Sequence, residues 1–175
     1  MAAALHLFPP KVLIPPVTAL RSPQGRAFNQ AKPVHFSRHD RMPTRSNALW
    51  HIQSGYVRTV TWSPEGDSIP LGFWSAGDRV GEAISQISLY EVQCLSEVIA
   101  QALDISDGFS RESVMAQVQQ SNDLLRIVHC RQMKLRLLQF VCWLANRFGQ
   151  LTEEGLTVPI KLIHQDIADA IGATK

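Results

Sequence analysis

Leu49-Trp50-His51-Ile52-Gln53-Ser54-Gly55-Tyr56-Val57-Arg58-Thr59-Val60-Thr61-Trp62 is the stretch that decides the fold class. It is crowded with β-branched and aromatic residues and divided by Ser54-Gly55, which predicts a strand, a tight turn and a second strand. Pro64-Glu65-Gly66-Asp67 supplies a turn, and the continuous apolar run at 69–74 predicts a further strand, the three pieces forming a meander. Ser75-Ala76-Gly77-Asp78 turns again. After Arg79-Val80-Gly81-Glu82, residues 90–95 alternate polar and apolar, and 98–103 form the last predicted strand. Short strands at this spacing predict an antiparallel roll or jelly-roll sandwich.

Downstream the period changes from two to that of a helix. Val114, Val118, Leu125 and Val128 recur as one seam of a heptad, with Ser121 in the remaining slot, which predicts an amphipathic helix over 109–129. The seam suits pairing with a second copy, and it equally suits a helix packed on the roll. A second helix is predicted over 132–148, apolar through Leu135, Leu138, Val141, Cys142 and Ala145, therefore buried and ended by Gly149. Residues 163–172 predict a short helix with Ile167, Ala168 and Ile171 inward, ended by Gly172. A small residue, a helix end, a glycine and then Thr174 as an amino-terminal cap have the shape of a helix-turn-helix entrance.

Upstream, seven of the ten prolines fall within the first 45 residues, so residues 1–45 predict a disordered, basic leader in which no long helix fits. The 5–8 stretch is too short for the apolar region of a secretory signal, and a transit-peptide reading is weakened by the prolines. No apolar run is long enough for a membrane span. Charge is uneven beneath a net +2: seven positive and one negative residue in 1–50, four and ten in 51–130, six and four in 131–175. Cys94, Cys130 and Cys142 are too few and scattered for a disulfide framework, an iron–sulfur cluster or a tetrahedral metal site, which points to a reducing cytoplasm.

Two stretches together carry a family resemblance. Trp50-His51-Ile52-Gln53-Ser54-Gly55-Tyr56-Val57-Arg58 through Gly77-Asp78-Arg79-Val80-Gly81-Glu82 resembles the roll signature of the Crp/Fnr bacterial transcription regulators. Leu162-Ile163-His164-Gln165-Asp166-Ile167-Ala168-Asp169-Ala170-Ile171-Gly172-Ala173-Thr174 is similar to their first DNA-binding helix and turn. The match covers about residues 46–175 and is nearest the cyanobacterial branch. It implies an α+β chain: a cyclic-nucleotide-binding-like antiparallel roll at 46–108, a dimerisation helix at 109–130, and an incomplete winged helix-turn-helix at 131–175.

The resemblance implies a non-catalytic, homodimeric, cytoplasmic regulator of duplex DNA, with no cofactor and an unidentified small-molecule effector. Gly81 and Glu82 occupy the family's effector cradle. In cyclic-nucleotide-binding members an Arg-Ser follows about a dozen residues later, its guanidinium pairing with the cyclic phosphate. Here 83–89 contain no Arg, so tight cyclic-nucleotide binding is not expected and Glu82 reads as a turn residue. By position, His164, Gln165 and Thr174 fall near phosphates and Lys175 is the first base-contacting residue. Members continue for roughly 45 residues as a recognition helix and wing, so weak or absent DNA binding is expected of this shorter form.

Two other classes compete with a regulator. A dimerising interaction protein forming inactive mixed dimers would keep the seam without specific DNA binding. A cupin-like enzyme needs converging His and carboxylate ligands, and the six histidines include no His-x-His pair. No Gly-x-Ser-x-Gly elbow or Gly-rich phosphate loop is present either. Trp50, Trp62, Phe73 and Trp74 read as core rather than as a ligand box, and Arg58 and Arg79 read as surface residues.

Overall fold

A computed structural model describes residues 32–45, 48–108, 110–153 and 155–173. Two four-stranded antiparallel sheets form the roll. One has the order β1 (Val34–Phe36), β8 (Val98–Asp104), β3 (Ala48–Ser54), β6 (Arg79–Val80), and the other β2 (Arg41–Met42), β7 (Glu91–Cys94), β4 (Tyr56–Trp62), β5 (Ser68–Ser75). A short helix α1 (Glu82–Ser85) and a turn α2 (Ile105–Gly108) flank them. Then come α3 (Arg111–Val128), α4 (Met133–Phe148), a hairpin of β9 (Gln150–Thr152) and β10 (Gly155–Thr157), and α5 (His164–Ile171).

The β3–β4 pair is not a hairpin, which corrects the meander. β3 pairs with β6 and β8 while β4 pairs with β5 and β7, so the chain changes sheets at Ser54-Gly55. Gly55 has φ 90°, and a Cβ there would lie 2.1 Å from the Glu97 carbonyl oxygen. Only glycine fits a corner this tight with a left-handed backbone. The predicted leader is corrected at its end as well. Residues 32–45 contain β1 and β2, and Met42 is buried between the sheets, so the roll begins at Val34 rather than at 46. The remainder of the leader, 1–31, lies outside the described residues.

Two apolar cores meet at β5. Between the sheets lie Ile52, Val57, Trp74, Val80, Tyr90, Val92, Val98 and Ala100. Beneath the helices lie Phe73, Leu95, Leu124, Ile127, Phe140, Leu144, Phe148, Ile160, Ala170 and Ile171. Successive strand residues point to opposite faces, so Trp74 enters the first core and Phe73 the second. That double burial accounts for the apolar end of the run at 72–74, whereas Ile69 at its start is exposed. Trp50 and Trp62 are half-buried; Trp50 packs edge-on to Phe36 and donates to the Pro43 carbonyl.

The helices are turned otherwise than the apolar stripe suggests. In α4 the inward residues are Phe140, Leu144 and Phe148, whereas Leu138 and Val141 are about half exposed. The 132–148 helix is thus buried on one aromatic face only. It stops at Gly149, where the backbone turns extended (φ −63°, ψ 135°) rather than left-handed, and only glycine fits, since a Cβ would lie 2.2 Å from the Ala145 carbonyl oxygen.

Candidate nucleic-acid interface

α5 is built by its two ends. At the start, Asp166 Oδ2 accepts the otherwise free Ile163 N–H at 2.9 Å, as an acidic first turn should. At the end, Gly172 adopts φ 63°, its N–H donates to the Asp169 carbonyl, and the Ala173 N–H donates to that of Ala168. This pair of bonds is the Schellman arrangement, which needs a left-handed residue and so a glycine. The helix therefore ends at Gly172 as its sequence implies. Arg136 of α4 holds the turn from outside, donating to the carbonyls of Ile171 and Gly172 at 3.1 and 3.3 Å and, through Nε, to that of Cys130 at 2.6 Å.

His164 and Gln165 stand exposed on the outer side of α5, and Gln165 Nε2 donates to Asp169 Oδ1. Thr174 and Lys175 lie outside the described residues. On the inner side Ile171 is buried as expected, Ile167 and Ala168 are half-buried, and Ala170 and Asp166 are buried with them. The buried acid has a partner in the roll. Arg58 Nη1 lies 2.8 Å from Asp166 Oδ1 and 3.6 Å from Asp169 Oδ2, a charge contact rather than a hydrogen bond aligned along an N–H. Arg58 is thus not the surface residue expected. Its neighbour Val57 points between the sheets, and period-two alternation sends Arg58 out beneath α5.

Two more arginines tie the helices to the roll. Arg147 of α4 reaches Asp78 Oδ2 and the Phe73 carbonyl, both at 3.3 Å, and lies over the Trp74 ring. Burial raises the Asp78 carboxyl above its ordinary range, and Arg147 and the Ser75 N–H oppose that shift. Arg38, in the β1–β2 turn, donates to the Lys161 carbonyl just before α5. On α3, buried Gln120 accepts the Phe73 N–H at 2.7 Å. These contacts join positions far apart in the chain, so no local pattern announces them. Asp166 and Asp169 three apart, in a helix without Lys or Arg, are the legible sign that a cation must come from elsewhere.

The seam of α3 is separate from its buried face. Gln120, Leu124 and Ile127 face the chain's own core, while Val118, Ser121 and Leu125 are exposed and Val114 and Val128 half-buried. Val118 is 47% and Leu125 55% accessible. Gly81 is buried where β3 passes: a Cβ would fall 2.8 Å from the Leu49 side chain and 2.9 Å from the Ala48 carbonyl oxygen. Glu82 opens α1, half-exposed. The Tyr90 hydroxyl contacts the Gly81 backbone and the Thr59 side chain, and burial raises its pKa. Trp74 donates to the same Thr59 hydroxyl at 3.0 Å.

No protein-family model matches the chain. The regulatory protein CysR of Synechococcus elongatus is 34% identical over 163 residues, which span 91% of this chain and 79% of that protein. The fumarate and nitrate reduction regulatory protein of Yersinia pestis is 26% identical over 141 residues, 73% of this chain and 56% of that one. Among solved structures, a CRP-family transcriptional regulator of Thermus thermophilus superposes with a TM-score of 0.63 at 22% identity, covering 80% of this chain and 77% of that one. With the roll, the long helix and the capped α5 in the order the family has them, these likenesses agree: the chain belongs to the Crp/Fnr family of transcription regulators.

Proposed function

We propose that the chain acts as a homodimeric, non-catalytic DNA-binding regulator in the cytoplasm, paired through Val114, Val118, Ser121, Leu125 and Val128 of α3. One observation carries this reading: α3 has two apolar faces and its own roll occupies only one of them. The second runs the length of the helix, exposed at Val118, Ser121 and Leu125 and half-buried at Val114 and Val128, an apolar stripe that a monomer has no use for. Pairing two copies along it repeats α5 about a two-fold axis, as two half-sites on duplex DNA require. Exposed His164 and Gln165 suit phosphates, and Thr174 and Lys175 follow them in the chain. Tight cyclic-nucleotide binding is not part of this reading, since no Arg stands in 83–89 to pair with a cyclic phosphate; the effector is unidentified. Among the described residues, no helix is long and apolar enough to cross a membrane.

Sedimentation velocity tests the pairing. The wild-type chain is expected at twice its own mass at micromolar concentration, and Leu125→Asp, which places a charge in the seam, at the monomer mass with an unchanged circular-dichroism spectrum. A monomeric wild type, or a dimer indifferent to Leu125→Asp, contradicts it.

A further inference from the structure

α5 carries Asp166 and Asp169 and no Lys or Arg. Duplex DNA presents one negative charge per about 1.7 Å of axis, so a helix with two bare carboxylates is repelled from it. The compensating charge comes from the roll. Arg58 lies between the two carboxylates at 2.8 and 3.6 Å, and the three side chains retain only 11, 9 and 10% of their accessibility. Its Nε donates to Gln93 Oε1 at 2.9 Å, Gln93 donates to Glu91 at 3.0 Å, and Arg41 pairs with Glu91 at 3.2 Å. The guanidinium is therefore fixed from behind by β7 while its front meets one face of α5, where residues three apart stand side by side.

We infer that Arg58 is a positioning residue for DNA contact: its single charge offsets half of the paired negative charge of Asp166 and Asp169 and sets the attitude of α5 on the roll, so that the duplex meets a helix of reduced negative charge presenting His164 and Gln165. This rests on the DNA-binding reading above. Arg58 does not touch the nucleic acid; it acts through the two acids.

The experiment titrates fluorescein-labelled duplex DNA by anisotropy with the full chain at several salt concentrations. Amide exchange is followed over α5, β3 and β8. Arg58→Gln is expected to weaken binding about tenfold at low salt, with the deficit shrinking as salt screens the uncovered carboxylates. Exchange in α5 rises about tenfold while β3 and β8 stay protected. A merely structural contact gives a deficit that does not change with salt. The double variant Arg58→Glu with Asp169→Arg restores the same local charge and is expected to recover affinity that Arg58→Glu alone loses. Wild-type affinity in Arg58→Gln, a salt-independent deficit, or no recovery in the double variant overturns the inference while leaving the DNA-binding reading standing. A wild-type chain that binds no duplex at any salt overturns both.

Discussion

At the residue scale, polar side chains from both layers hold the helices to the roll, and several of them keep a buried N–H without a hydrogen-bond partner: Arg38 Nε, Arg58 Nη1 and Gln120 Nε2. Arg58, Arg147 and Arg38 each cross from one layer to another, and the buried Gln120 oxygen takes the Phe73 N–H. Pairs of this kind add little net stability, because desolvation offsets attraction, yet leaving one partner alone is costly. They fix geometry more than they hold the fold together. A pH effect follows from His51, on β3. Burial, and next the nearby Arg79, lower its pKa below 6.5, with Asp78 opposing. The fold therefore prefers the neutral ring. Its contribution is present above pH 6.5 and is lost as pH falls through the depressed value, because the unfolded chain takes up the proton first. Urea midpoints measured between about pH 5 and 7 are expected to fall with acidity in the wild type and to fall less in His51→Gln. An equal slope in both removes His51 from the account.

At the element scale, stability of the helical layer centres on Phe140, which is fully buried, 5.7 Å from the Phe73 ring and stacked at 6.0 Å on Trp143. Phe140→Ala leaves a cavity where three elements meet and is expected to cost about 3–5 kcal/mol in urea unfolding. A loss below about 1 kcal/mol shows that the cluster is not a core. The strands are largely legible in sequence because β-branched runs and Gly-bearing turns are local signals. Which strands pair is not: β3 and β4 adjoin in the chain but lie in different sheets, and the corner at Gly55 is packed against Glu97, a residue 42 positions on that no local pattern points to. The inward face of α4 is hidden from sequence because Leu138 and Val141 are as apolar as Phe140 and Leu144. Periodicity locates a stripe; it does not say which of two stripes meets the chain's own core. On α3 the same ambiguity leaves the seam open in sequence, and the structure separates the buried face from the exposed one.

At the molecular scale, β5 is shared by both cores, so the roll and the helices that follow it are packed as one body through Phe73 and Trp74. The roll and the end of α5 are readable from their Gly-Asp and Ile-Gly signatures, but the Arg58 contact that joins them links residues more than a hundred positions apart and leaves no local pattern. On the proposed pairing, an outward seam on α3 and a helix capped at Gly172 give a molecule that brings two copies of α5 to a polyanion. Anisotropy of a labelled duplex against the wild-type chain, titrated across salt concentrations, tests this most directly. The expected result is weak binding, measurable at low salt, whose affinity falls linearly with the logarithm of salt concentration, the mark of phosphate contact; an anisotropy that stays flat even at the lowest salt would contradict it.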